Sequence, residues 1–469
     1  MSHTIDIVFG AAVLVAALTA SVHAVIHKRD SRAAALWLAV IWLVPAIGSL
    51  LYLLIGINRV ARKAAKIRRR MVRHRTAPQF PASEPGEHFM PLARLIERLV
   101  KRPLQPGNAV DPLVDGEHAF PAMLEAIGTA RSSVMLASYI FDAHGIGAHF
   151  IQALGAAVRR GAQVRVLIDD VDARFSRSSA VKPLREAGVT VAVFNPPLVP
   201  ARLHAANLRN HRKILVVDGN LGFTGGLNVD CRYWQSDAPA QASRDLQFRL
   251  RGPVVAHLAE VFANDWQFAT GEALRGQRWF PQLAAAGEVL ARGIEAGPDE
   301  NFERLRWAIT GGLNAAQRSV RILTPYFLPD QALISAVNAA AMRGVEVDIV
   351  IPAHSDLPHV HWAVFGQLGQ VLDHGCRVWA SPAPFDHSKL LVIDGAWSLI
   401  GSANWDSRSL RLNFELDVEC YSAELGARLD DLVQARIASA RPITLKKINA
   451  RPFAIKLRDG VARLFAPYL

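Results

Sequence analysis

The sequence predicts an α/β protein of two homologous halves, each with a mostly parallel or mixed sheet flanked by helices, preceded by an N-terminal transmembrane helical hairpin. Three observations predict it. Two uncharged apolar runs open the chain, at 7–26 and 33–57. Beyond about residue 110, short β-rich runs alternate with helix-like stretches, the βαβ pattern of a largely parallel sheet. That order then returns about 186 positions later, and each copy is followed by the same His-x-Lys-x4-Asp string, which marks a duplication.

The first apolar run is long enough, as a helix, to span a bilayer core of roughly 30 Å. It does not read as a cleavable signal peptide: Asp6 stands where a basic residue is expected, and no small-x-small site ends it. The second run carries Pro45 and Gly48, which kink or break a helix, so a re-entrant hairpin is the alternative to two spans.

Charge follows the same division. Residues 1–75 hold twelve Lys/Arg against two Asp/Glu, a net +10, which leaves +2 for the rest of a +12 chain. Nine of those cations fall between Arg59 and Arg75 with no acid among them. The positive-inside rule places that run, and with it the body, on the cytoplasmic side of a membrane that the chain crosses more than once. A near-neutral body argues against strong duplex binding, which needs a basic patch, so no nucleic-acid partner is expected. Cys231, Cys376 and Cys420 are too far apart and too few for a disulfide framework or a zinc site.

The expected division is a membrane arm at 1–75, a polar linker at 76–110, a first half at 111–295, a second half at 296–440 and a tail at 441–469. In the first half, runs 133–141 and 163–168 read as strands around a helix at 147–161; in the second, 319–327 and 345–351 surround a helix at 331–343. In the tail, Phe453, Leu457, Val461 and Leu464 form an apolar stripe among Lys456, Arg458 and Arg463, either an interfacial helix or one docked on the body.

The repeat is sharpest at its chemical centre. His211, Lys213 and Asp218 are followed by Gly225, Gly226 and Asn228; His387, Lys389 and Asp394 are followed by Gly401, Ser402 and Asn404. Each Asn lies seventeen residues after its His, and each motif runs into an apolar strand, so His and Lys point to one face. Asp245 and Glu415 occupy equivalent later strands and could fix the tautomers of the histidines. One copy alone is weak evidence; two copies with the same spacing point to a shared site. A neutral imidazole can attack phosphorus, a protonated one can supply a proton, and Lys, Asn and the Ser402 hydroxyl can hold phosphoryl oxygens. Such a site requires no metal and no cofactor.

These paired motifs resemble those of the phospholipase D superfamily. The strings NHRKILVVDG, GFTGGLN, TPYFLPD, HSKLLVIDG and GSANWDSRSLRLNFE, with the membrane arm from residue 29, resemble bacterial cardiolipin synthases in particular. The resemblance implies phosphatidyl transfer between phospholipids. His211 would displace glycerol from phosphatidylglycerol and His387 would protonate the leaving alkoxide, then deprotonate the hydroxyl of a second phosphatidylglycerol; the two roles could be exchanged. Lys213, Lys389, Asn228, Asn404 and Ser402 would bind phosphate, while Asp218 and Asp394 would stabilise the motif. Phosphatidylethanolamine is the alternative donor, and a hydrolytic phospholipase D or a nuclease of the superfamily is the alternative activity. The chain departs from the family at Val171-Asp172-Ala173-Arg174, where a Gly-Ser pair is common, and at Gly226, where the second copy has Ser402.

Overall fold

The computed structural model describes residues 2–28, 31–56, 74–81, 83–176, 178–194, 209–234, 242–299 and 301–466. The basic run from Arg59 to Arg73 lies outside them. The described residues fall into two compact units, the N-terminal segment to residue 56 and the body from residue 74.

In the N-terminal unit, α1 (Ser2–His27) is apolar over Thr4–His27 and long enough to cross a membrane. The second apolar run is not one helix. Its first part, α2 (Ser31–Leu43), ends at Val44, whose φ of −137° and ψ of 73° leave the helical region; α3 (Pro45–Leu51) then starts on Pro45, a residue suited to a first helical turn. Among the described residues one helix therefore has the length of a span, where two were expected. The three helices bury Ala17, Ala24, Ile41 and Tyr52 together, and His23 Nδ1 meets the Tyr52 hydroxyl at 2.8 Å.

In the body, the first half contains β1 (Gln105–Val114), β2 (Ser133–Ser138), β3 (Gln163–Asp169), β4 (Thr190–Phe194), β5 (Ile214–Val217), β6 (Leu221–Gly225), β7 (Ser243–Arg244) and β8 (Leu246–Arg251). The second contains β9 (Val289–Ala296), β10 (Ser319–Leu323), β11 (Glu346–Pro352), β12 (Arg377–Ser381), β13 (Phe385–Asp386), β14 (Leu390–Ile393), β15 (Trp397–Gly401), β16 (Glu415–Tyr421) and β17 (Arg441–Ile443). All but β7 and β13 join one sheet in the order β17-β12-β11-β10-β14-β15-β16-β9-β1-β8-β6-β5-β2-β3-β4. The order reads alike outward from the β9–β1 pair in both directions, apart from β17, so the duplication is a pseudo-twofold around that seam.

The sheet is mixed, and antiparallel pairs outnumber parallel ones. Within it, among the described residues, β2-β3-β4 and β10-β11-β12 run parallel and the other neighbours antiparallel. The motif strands β5–β6 and β14–β15 are hairpins, and a tight hairpin can only be antiparallel. Of the expected mostly parallel or mixed sheets, the strands form the mixed kind, parallel in the strand–helix–strand units and antiparallel at the hairpins between them.

The helices that position the site are α4 (Met90–Val100), α5 (Asp115–Thr129), α6 (Ile146–Arg159), α7 (Val254–Thr270), α8 (Arg304–Ala315), α9 (Gln331–Met342), α10 (Pro358–Leu372), α11 (Ser407–Arg411), α12 (Ala423–Ser439) and α13 (Phe453–Leu464). Each half has its own apolar core, around Phe120, Phe150 and Leu215 in one and Ile349, Leu391 and Trp397 in the other. The segment expected as a linker holds α4 and the start of β1, and β9, placed by sequence in the first half, pairs with β16 of the second.

Candidate active site

The two motifs meet at the seam. His211 and His387 line one cavity of about 420 Å³, together with Asn228 and Asn404. The backbone makes this convergence obligatory. Ahead of β5, the His211 N–H donates to Phe414 O at 2.9 Å; ahead of β14, the His387 N–H donates to Arg244 O at 2.8 Å. Each motif is thus stitched to the opposite half before its own strand begins, and β13 pairs with β7 for the same reason.

The carboxylates are exchanged in the same way. Glu415 of the second half lies 3.0 Å from Nδ1 of His211, and Asp245 of the first half lies 2.8 Å from Nδ1 of His387. All four side chains are buried. With Nδ1 engaged, Nε2 is the nitrogen left for chemistry in each ring. The two environments nevertheless differ. Glu415 also accepts from the Ser402 hydroxyl at 2.6 Å and from Asn413 Nδ2 at 3.2 Å. Burial pushes its pKa up, but the His211 charge and these hydrogen bonds outweigh burial and hold it below the usual carboxylate range. Asp245 accepts from its own neighbour's Leu246 N–H, and burial raises it to about 7.

At His387, Nδ1 is also approached by Lys389 Nζ at 2.8 Å and by the Tyr233 hydroxyl at 3.1 Å. A single ring nitrogen cannot donate to a carboxylate and accept from an ammonium together, so His387 sits in contested surroundings while His211 has one anionic partner. Burial lowers both imidazoles, and Lys389 and Lys213 drive His387 further down. Burial likewise brings Lys213 to about 7 and Lys389 to about 8. Burial thus disfavours the charged form of both rings, and a phosphate anion beside them would favour it.

Several expected site residues lie off the cavity lining, among them Lys213 and Lys389, each of which donates its Nζ to the carbonyl of its own motif histidine. Ser402 is fully buried, and its hydroxyl donates to Glu415 rather than facing the cavity, so the phosphate contact expected of it is replaced by support of the carboxylate. Its counterpart Gly226 is small for a reason: a Cβ there would stand 2.2 Å from Asp245 Oδ1. Asp218 and Asp394 do not line the cavity. Each sits at positive φ in the turn after its motif strand, a conformation Asp tolerates, and accepts backbone N–H groups from the segment that opens the neighbouring strand. Asp218 takes those of Arg131, Ser132 and Ser133; Asp394 takes those of Gln317, Arg318 and Ser319, plus His88 Nε2 at 2.9 Å. The motif aspartates thus anchor the hairpins.

Other cavity residues went unread in the sequence. Tyr139 packs edge-on to His211 at 5.0 Å, and Tyr326 does so to His387 at 6.3 Å. Arg232 and Arg408 both line the cavity, and the signal for them was present: Asn-x-Asp-x-Arg occurs in each copy, as Asn228-Val229-Asp230-Cys231-Arg232 and Asn404-Trp405-Asp406-Ser407-Arg408. Arg209 adds a cation beside His211 where the second copy has Phe385. Among the described residues, Asp142, Asp230 and Cys231 bring metal-type ligand atoms within 4.8 Å of one another, but Asp230 already holds Arg232 at 2.8 Å.

The fold and the twinned site define a phospholipase D-like protein. Residues 123–266 and 309–436 match the family described as cardiolipin synthase, PLD-like domain, and residues 15–56 match the phospholipase D-nuclease N-terminal family. Cardiolipin synthase 1 of Staphylococcus epidermidis is 32% identical over 469 residues, covering 94% of each chain. The major cardiolipin synthase ClsA of Bacillus subtilis is 32% identical over 462 residues, covering 94% of this chain and 95% of its own. The crystal structure of phosphatidylserine synthase from Haemophilus influenzae shares the fold, with a TM-score of 0.65 at 14% identity over 81% of this chain and 100% of that one. The chain belongs to the cardiolipin synthase family.

Proposed function

We propose that the protein makes cardiolipin by moving the phosphatidyl group of one phosphatidylglycerol onto the terminal hydroxyl of a second, with release of glycerol. In the first step, Nε2 of His211 attacks phosphorus, the phosphorus–oxygen bond to glycerol breaks, and His387 gives its proton to the leaving oxygen. In the second, His387 takes the proton of the incoming hydroxyl, whose oxygen displaces His211 from phosphorus. The observation that carries this reading is that both repeat histidines line one cavity, each with a carboxylate from the opposite half on its Nδ1. His211 is assigned the attacking part because its single anionic partner leaves Nε2 basic, whereas Lys389 crowds Nδ1 of His387. Lys213, Lys389, Asn228 and Asn404 hold the phosphoryl oxygens, and buried Asn404 Oδ1, which has no hydrogen-bond partner among the described residues, is available to a substrate hydroxyl. Arg209, Arg232 and Arg408 supply cations for the second lipid's phosphate.

For the membrane arm we keep two passes with the body on the cytoplasmic side, supported by the nine cations between Arg59 and Arg75. The domain division proposed from sequence is kept with the seam moved to the β9–β1 pair.

The test uses purified full-length protein with headgroup-labelled phosphatidylglycerol and mass spectrometry of the products. Cardiolipin and free glycerol are expected in equal amounts, with both lost in His211→Ala and His387→Ala. Phosphatidic acid as the sole lipid product would replace the transferase reading by a hydrolytic one.

A further inference from the structure

Helix α13 turns its one acid toward the protein and an apolar stripe away. Asp459 is 1% exposed and is held by Arg451 at 2.5 Å and Arg458 at 2.8 Å. Its carbonyl lies so close to α10 that a Cβ on Gly366 would stand 2.6 Å from it. Arg451 stacks on Phe365 and Arg458 on Trp362, both of α10, at 4.6 and 4.5 Å. Docking therefore uses the ion pairs and the small residue. On the other side, Phe453, Leu457, Val461 and Leu464 are 78%, 56%, 48% and 72% exposed, and Phe465 follows at 57%. At about 100° per residue the first four share an arc of roughly 80°. Such a stripe ordinarily faces the core of its own domain.

We propose that this stripe is a membrane-interface surface, covered by the acyl boundary of a bilayer that carries anionic headgroups. Lys456 and Arg463 flank the stripe on one side, both exposed, while Arg458 on the other side is engaged by Asp459 and Trp362. The single acid of the helix, Asp459, is buried on the opposite face, so the outward side presents apolar groups and cations only. That composition matches helices lying in the plane of anionic membranes. A single projecting stripe rather than a groove also suits a fluid planar surface. The consequence for the site runs through α10: its first residues His359 and Val360, with the adjoining Leu357, line the catalytic cavity. Seating α13 in the interface would hold that wall of the cavity at headgroup depth. Binding itself does not rest on the assignment of the catalytic histidines, and the first measurement below reads no activity.

Full-length protein with Cys231→Ser, in which Cys376 and Cys420 are buried from the label, is given one exposed cysteine, either Leu457→Cys or, as control, Lys182→Cys, a site 88% exposed at its side chain. In vesicles of phosphatidylcholine and phosphatidylglycerol, acyl-chain spin-labelled lipid is expected to quench the label at 457 and not that at 182. A second arm compares the wild type with the triple variant Phe453→Ser, Leu457→Ser, Leu464→Ser, whose exposed positions leave the core untouched. Its transfer rate on vesicle-embedded phosphatidylglycerol is expected to fall about fivefold or more, while its rate on a short-chain, monomerically dissolved phosphatidylglycerol stays at the wild-type value. An unquenched label at 457 overturns the proposal. So does a label environment that changes with protein concentration in detergent, which would mean that a second copy covers the stripe.

Discussion

Replacing Glu415 by Gln keeps the shape of the side chain and changes one atom from acceptor to donor. The carboxylate accepts at both oxygens, from His211 Nδ1 at 3.0 Å, the Ser402 hydroxyl at 2.6 Å and Asn413 Nδ2 at 3.2 Å. An amide turned with its NH2 toward His211 sets donor against donor unless the ring moves its proton to Nε2. That tautomer hides the lone pair needed for attack. Turned the other way, the amide oxygen keeps the ring bond but confronts Ser402 and loses the anionic charge that makes Nε2 basic. The comparable change in a serine-protease triad costs about 10⁴ in turnover, and here a loss of about 10³ to 10⁴, or roughly 4–5 kcal/mol of barrier, is expected. Stability should change far less, because Ser402 and Asn413 can reorient around the amide. The assay is single-turnover formation of product from labelled phosphatidylglycerol, with thermal unfolding as control. A Glu415→Gln enzyme that forms product within about threefold of wild type, under about 0.7 kcal/mol of barrier, would falsify the role given to this carboxylate.

Three further outcomes follow from the same geometry. Lys213 and Lys389, lowered by burial to about 7 and 8, are charged below those values and neutral above them. Phosphate binding therefore weakens as pH rises, kcat/KM should show an alkaline limb across that range, and Lys213→Arg should move the limb upward; a profile flat to about pH 9 contradicts this. Gly226→Ala places a methyl group 2.2 Å from Asp245 Oδ1, so transfer should drop about tenfold or more with the fold retained by circular dichroism, and unchanged turnover would show that Asp245 can yield. Asp394→Ala removes the acceptor of three backbone N–H groups and should cost about 1.5–3 kcal/mol in denaturant unfolding; lost activity with unaltered stability would put Asp394 in the chemistry after all.

How much of this was legible in the sequence depended on range. Local spacing carried the duplication, both histidines, both lysines and the asparagines, because His-x-Lys and its Gly-x-x-Asn sequel lie on one hairpin. Spacing could also find Asp245 and Glu415 as equivalent positions. It could not say which histidine each serves, since that depends on the crossing of backbones at Phe414 and Arg244, more than 140 residues from the motifs they hold. Ser402 was misjudged for a related reason: its neighbour across the sheet, Leu416, and the adjoining Glu415 are visible only once β15 and β16 pair. The continuity of the sheet was equally hidden, because β1 opens inside a stretch whose prolines and polar residues read as a linker. Arg232 and Arg408 were readable and overlooked, their shared Asn-x-Asp-x-Arg being shorter than the strings around it.

Because each imidazole borrows its carboxylate from across the seam, neither half holds a complete histidine–carboxylate pair of its own. Reciprocal borrowing of this kind is the mark of a twofold dimer, where every contact from one copy is returned by the other. A dimer of identical subunits must present the same residue at both addresses. Joined in tandem, the two copies have drifted apart, Gly226 with Asp245 against Ser402 with Glu415, and Arg209 against Phe385. One polypeptide can thereby let attacker and proton carrier specialise, a freedom that symmetry denies to an assembly of equals.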